Sequence, residues 1–272
     1  MNQPPTSPTP TPTTSGRGLR IGVAVAIGAA LLLGAFGIYY LFLRPEGPAA
    51  VGDATLPPVA TDAPTGATAT EPAASDPAAT ADPGTGTGSG IEGSWTVDPS
   101  VGSFDDFSGT FVGYRVQEEL AGIGAQTAVG RTPDVTGTMT IAGTAVTAAT
   151  IEADLTTLRS DDNNRDGQLR RQGIETGQFP TATFTITEPI DLGGVPADGE
   201  EIQVTATGQL TLHGQTKDVE VPMTARLSGD VVTVAGSIPI LFADYGIQKP
   251  ESFKVLSVDD NGTMEFQVHF SR

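Results

Sequence analysis

Residues 200–227 carry a two-residue alternation that leaves few folds open. Val204, Ala206, Gly208, Leu210 and Leu212 take the even positions, and Gln203, Thr205, Thr207, Gln209 and Thr211 the odd ones. After His213-Gly214-Gln215-Thr216 the pattern returns, with Val219, Val221, Met223, Ala225 and Leu227 alternating with Asp218, Glu220, Pro222, Thr224 and Arg226. Successive side chains of a strand point to opposite faces, so this stretch is a long hairpin with one apolar and one wet face.

Further strands are expected at 95–98, 110–120, 134–142, 145–158, 181–187, 230–240 and 264–270, the last launched by an Asp259-Asp260-Asn261-Gly262 turn. Residues 161–176 break the alternation and are the one helix candidate. About eight strands, each with one wet face, cannot form a helix-covered sheet. Their apolar faces must meet in a sandwich or a closed barrel, and long strands favour the barrel. The expected fold is therefore all-β, an extended eight-stranded antiparallel barrel with one short helix. Such a barrel is either filled by side chains or just wide enough for one small ligand. Its inward positions are mostly Val, Ala, Thr, Leu and Gly, which favours a cavity. The alternative is a dry core packed by Phe104, Phe107, Phe184, Phe242, Phe253, Phe266 and Phe270.

The domain that these strands build covers residues 91–272, and the chain before it is of different character. Residues 1–20 are Pro/Thr-rich and too polar to bury a core, so a disordered tail is expected. Residues 21–43 hold no charge, and their 23 positions exceed the roughly 20 that a membrane-crossing helix needs. Tyr39-Tyr40 suits an interfacial anchor. Arg17 and Arg20 before the span, against Arg44 after it, keep the N-terminus inside. A cleaved signal peptide has a shorter apolar region and a small-residue cleavage site; an uncleaved single-pass anchor fits better, with the C-terminal domain extracellular or periplasmic. Residues 44–90, rich in Pro, Thr, Ala, Gly and acid, read as a disordered linker. As a coil it spans roughly 40 Å, and fully extended no more than about 140 Å, so it would hold the domain off the membrane.

With 14 basic and 32 acidic residues, net charge −18, the surface repels phosphate backbones, and nucleic acid is not an expected partner. The absence of cysteine removes disulfides, thiolate metal sites and Cys nucleophiles. Asp162, Asn164 and Asp166 match three ligand positions of a calcium loop, but Gly173 stands where its bidentate Glu belongs. The plainer reading is a helix start, where such residues satisfy free amides. Arg165 and Asp166 adjoin Arg170-Arg171, as a polar clamp near a cavity mouth or a solvated helix face. His213 lies in a hairpin turn, more often a structural place than a catalytic one, and His269 on a wet face. No GxSxG, HExxH or P-loop is present, and no cofactor or metal is expected.

Arg165-Asp166-Gly-Gln-Leu169, Phe179-Pro180-Thr-Ala-Thr-Phe184 and Gly208-Gln-Leu-Thr-Leu-His-Gly-Gln-Thr-Lys-Asp-Val219, in that order, resemble the YceI-like polyisoprenoid-binding family. Asp244-Tyr245-Gly246-Ile247 and residues 264–270 sit where that family places its late strands, so the resemblance covers roughly 95–270. It implies a lipocalin-like barrel with a long hydrophobic pore, secreted or periplasmic, binding a polyprenyl chain such as an isoprenoid quinone tail, without catalysis. The family usually has a His a few residues after the first-strand Asp and another closing the next strand. Here Pro99, Ser100 and Val101 follow Asp98, and residues 111–116 read FVGYRV.

The expected function is thus a membrane-tethered protein that sequesters or carries a polyisoprenoid lipid or quinone. Phe184, Ile186, Leu210, Leu212, Val221, Met223, Phe266 and Phe270 would line the pore, with Arg165, Asp166 and His213 as polar candidates at its mouth. Membrane contact would run through residues 21–43, and a homodimer stays open. Two rivals are a cell-surface interaction module on a packed barrel and a lipid-modifying enzyme using Arg165, Asp166 and His213.

Overall fold

A computed structural model of the chain describes residues 48–51, 90–122, 124–249 and 255–272. The expected tail and transmembrane span, and nearly all of the expected linker, lie outside the described residues. No helix among the described residues is long and apolar enough to cross a membrane.

Thirteen strands form one antiparallel sheet: β1 (Gly93–Val97), β2 (Phe111–Leu120), β3 (Gly124–Thr132), β4 (Val135–Ala142), β5 (Ala145–Asp154), β6 (Arg159–Ser160), β7 (Thr181–Ile186), β8 (Ile190–Asp191), β9 (Glu201–Leu212), β10 (Gln215–Ser228), β11 (Val231–Leu241), β12 (Val255–Val258) and β13 (Asn261–Ser271). Eight of them close a ring in the order β1-β4-β5-β7-β9-β10-β11-β13, with β13 returning to β1 through the pairs Thr96↔Ser271 and Val97↔Phe270. The other half of β13 pairs with β2, from Thr263↔Arg115 to Gln267↔Phe111, and β3 and β6 extend the wall from there. Closure leaves the ring without a free edge.

The β9–β10 hairpin has the expected alternation and a two-residue turn, Leu212 pairing with Gln215. His213 (φ 51) and Gly214 (φ 71) both adopt the left-handed region, the combination a primed turn needs to match the twist of its strands. Residues 259–262 do not form the expected hairpin turn. Both β12 and β13 run along β2, and the Asp259 amide donates to Gln117 O, so the chain continues past a kink and Asn261 and Gly262 already belong to β13.

The expected helix over 161–176 is shorter: α1 (Asn163–Gln168) followed by a wide π turn (Leu169–Gly173). Asp162 caps α1, its carboxylate accepting from the Asn164 and Arg165 amides, as the helix-start reading required. The π turn closes by the Ile174 amide donating to Leu169 O, and Glu175 at φ 47 ends the helical path before the predicted residue 176.

The wet-face reading of His269 is overturned. On β13 the inward-facing Met264 and Phe266 are half-buried, whereas the outward-facing Glu265, Gln267 and His269 are 1%, 5% and 1% exposed. Residues 98–110 fold back over the outside of this strand. Gln267 Nε2 donates to Ser108 O and Gly109 O, and His269 Nε2 donates to Ser108 O at 2.8 Å. Phe104 and Phe107 pack outside the ring with Arg159 and Arg131 over their faces, not in an interior core.

This cover fixes the protonation of His269. With Nε2 donating to a carbonyl, Nδ1 accepts from the Thr233 hydroxyl at 2.9 Å, so the neutral ring satisfies both nitrogens. Burial holds its pKa below the usual histidine value; the bond to Ser108 O and Asp98 oppose the shift, and Arg226 adds to it. The unfolded chain takes up a proton as the pH falls through about 6.5, and the native chain does not. Stability is therefore full above that value and declines as the pH falls toward the depressed native pKa. With two histidines in the chain, NMR titration separates them readily. The His269 ring signals should titrate below 6.5, and a midpoint at or above 6.5 would contradict this arrangement.

Candidate functional site: an apolar hollow in the barrel

Inside the ring lies a hollow of ≈ 150 Å³. Of its thirty lining residues, Thr183 and Arg226 alone are not apolar. Two glycines explain why large rings do not close it. A Cβ on Gly208 would stand 2.6 Å from Phe184 Cζ, and one on Gly236 2.9 Å from Phe266 Cζ. Both rings therefore lie across a glycine, against the wall, and the axis stays empty. Small residues at Ala149, Ala153, Ala182, Ala206 and Ala225 widen it further. A space so nearly devoid of polar groups offers little to ordered water and suits a hydrocarbon.

The hollow reaches the ring end where Ile190, Leu192, Pro196 and Leu227 stand; Val195 beside them is 59% exposed. The other end is plugged. Leu155, Leu158, Ile174, Leu212, Ile240 and Tyr245 are buried in the same apolar cluster without lining the hollow.

Of the side chains expected in the lining, Phe184, Ile186, Leu210, Val221, Met223, Phe266 and Phe270 border the hollow. Leu212 does not, because it lies one residue before the turn and packs into the plug. The reading by alternation missed the lining from β4 and β5, such as Met139, Ile141 and Ile151. The same period that marked those strands could have supplied them.

The three polar candidates do not border the hollow, and no described hydrogen bond joins His213 to the other two. Arg165 donates to Glu118 at 2.5 Å and to Asp161 at 2.6 Å. Burial works against its charge, yet the bond and attraction to Glu118 outweigh that and raise its pKa. Asp166 accepts from the Ser160 amide at 3.0 Å and its hydroxyl at 2.7 Å. His213 bonds Tyr245 O at 2.9 Å and Glu175 at 3.1 Å, with Phe179 edge-on at 4.4 Å. Each is saturated in a network that ties α1 or a turn to the barrel, so the expected polar mouth is not formed by these residues. Among the described residues no group of His, Asp and Glu could hold a metal ion.

Comparison with known proteins places this geometry. The YceI-like domain family matches residues 95–270. A UPF0312 protein of Vibrio cholerae serotype O1 is 30% identical over 118 residues, covering 39% of this chain and 57% of the relative, so the match spans little more than half of that protein. Among solved structures, a polyisoprenoid binding domain from Saccharophagus degradans, implicated in plant cell wall breakdown, aligns with a TM-score of 0.48 at 21% identity, over 60% of this chain and 93% of that one. BcnA of Burkholderia cenocepacia aligns at 0.45 and 20%, over 58% and 95%. The family match spans most of the chain, from the first strand of the ring to the last, and the protein belongs to the YceI-like domain family.

Proposed function

We propose that the barrel takes up the chain of a polyisoprenoid lipid, an isoprenoid quinone among them, and sequesters or carries it without chemical change. In this reading residues 21–43 hold the protein in a membrane, with the barrel on the extracellular or periplasmic side. The observation that carries the proposal is the apolar hollow inside a closed ring, where Phe184, Met223, Met264 and Phe266 stay half-buried while the outer face of β13 is covered. The resemblance of residues 165–169, 179–184 and 208–219 to the YceI-like polyisoprenoid-binding family supports the choice of ligand class. Each buried methylene contributes about 0.8 kcal/mol before the cost of ordering the chain. Selection would rest on length and shape, because the walls offer few polar contacts.

The single tryptophan gives a direct assay. Trp95 is fully buried in the cluster that surrounds the hollow, and its β1 position pairs with Met139 of the lining. Titration with an isoprenoid quinone should quench its fluorescence saturably, and the same head group without a tail should not. Equal quenching by both compounds, or none, would sink the proposal.

A further inference from the structure

Residues 48–51 fall within the stretch that composition assigns to a linker, yet they lie against the barrel. Arg115 Nη2 donates to Pro48 O at 2.6 Å, and Arg131 Nη2 donates to Ala49 O at 3.0 Å. The Val51 amide donates to Glu265 Oε2 at 3.3 Å. The three receiving side chains come from β2, β3 and β13, far from residues 48–51 in sequence. Two of them are almost fully enclosed, Arg131 at 3% and Glu265 at 1% exposure.

The side chains that meet the segment are also held by the barrel itself. Gly113 pairs with both Glu265 and Arg131, and a Cβ there would stand 2.7 Å from Arg131 Cγ. Its missing side chain lets the guanidinium cross β2, where Nε and Nη2 both donate to Glu265 Oε1, at 2.9 and 2.6 Å. Phe107 and Phe111 hold the guanidinium from its faces, 4.5 and 4.1 Å from Cζ. After that pairing, Arg131 Nη2 still has a hydrogen to give and Glu265 Oε2 a lone pair to fill. Arg115 Nε takes part of Oε2 at 3.3 Å. A backbone with two successive carbonyls and an amide two residues on completes the set. A buried charged pair contributes stability when such remaining positions are satisfied.

We infer that Arg115, Arg131 and Glu265 form a backbone-reading site for a peptide main chain, occupied in this chain by residues 48–51 as a strap. The specificity is for main-chain groups, since all three bonds are to carbonyls or an amide. The strap does not rest on reading residues 21–43 as a membrane span.

Residue-resolved amide exchange on the full chain tests the strap. The Val51 amide should exchange at least about tenfold more slowly than an unprotected amide. Arg115→Ala should return it to the unprotected rate. Val51→Pro removes the donor without touching any barrel residue, and should speed Glu-C cleavage after Glu46 by a similar factor. An unprotected Val51 amide in the native chain, or cleavage unchanged by Val51→Pro, overturns the strap. Flotation of the same chain with phosphatidylcholine vesicles tests the membrane reading separately. A chain that fails to float, with Val51 still protected, removes the span and leaves the strap standing.

Discussion

Glu265→Ala should cost about 3–5 kcal/mol of folding stability, because it leaves the Arg131 charge enclosed without its partner. Arg131 is 3% exposed, so water cannot replace the lost carboxylate. Burial already holds the Arg131 pKa below its ordinary value, against the opposing pull of Glu265. For a domain of this size the loss lowers Tm by on the order of 10 °C. The double variant Arg131→Met/Glu265→Leu should recover most of it, since a well-packed apolar pair of similar volume commonly matches a buried ion pair. Urea unfolding of the native chain, Glu265→Ala and the double variant measures both effects. A loss below about 1 kcal/mol in Glu265→Ala would mean that the pair is solvated and the outer cover over β13 is open.

The second large effect separates binding from stability. Ala225 lines the hollow from β10, opposite Ile202 and Val234 of the neighbouring strands. Ala225→Phe sends a ring into the empty axis. Filling a cavity commonly adds about 0.5–2 kcal/mol of stability, whereas quinone quenching of Trp95 should weaken by at least about tenfold. Most substitutions that abolish binding also loosen a fold, so a more stable barrel that no longer takes up the tail is a specific outcome. Unchanged quenching in the folded variant would place the ligand elsewhere.

What could be read from the chain in advance follows from where the information lies. Alternation over 181–187, 200–227 and 264–270 is local, and it yields strands, their inward parity and seven residues that border the hollow. β3 was not legible, since its sequence GAQTAVGRT holds no large apolar residue to mark a face. The outer cover could not be read either. Glu265 and His269 occupy positions that a half-wet strand gives to solvent, and what buries them arrives from residues 98–110 and 48–51. Nothing in the neighbourhood of Arg131 signals a partner 134 positions away. Leu212 fails for the opposite reason: its parity is inward, but it stands too near the His213-Gly214 turn to reach the hollow. The polar candidates were chosen by proximity to the helix and turn, and the structure spends their hydrogen bonds on fixing α1 and that turn in place.

Everything functional depends on the hollow being filled by a long apolar chain in the working protein. Organic extraction of the purified full chain, followed by mass spectrometry, tests this most directly when the Ala225→Phe variant is extracted in parallel. The native chain should release a polyprenyl species in amounts approaching one per barrel, and the variant should release at most a tenth as much. Equal yields from both proteins, or bulk phospholipid alone from the native chain, would contradict the account.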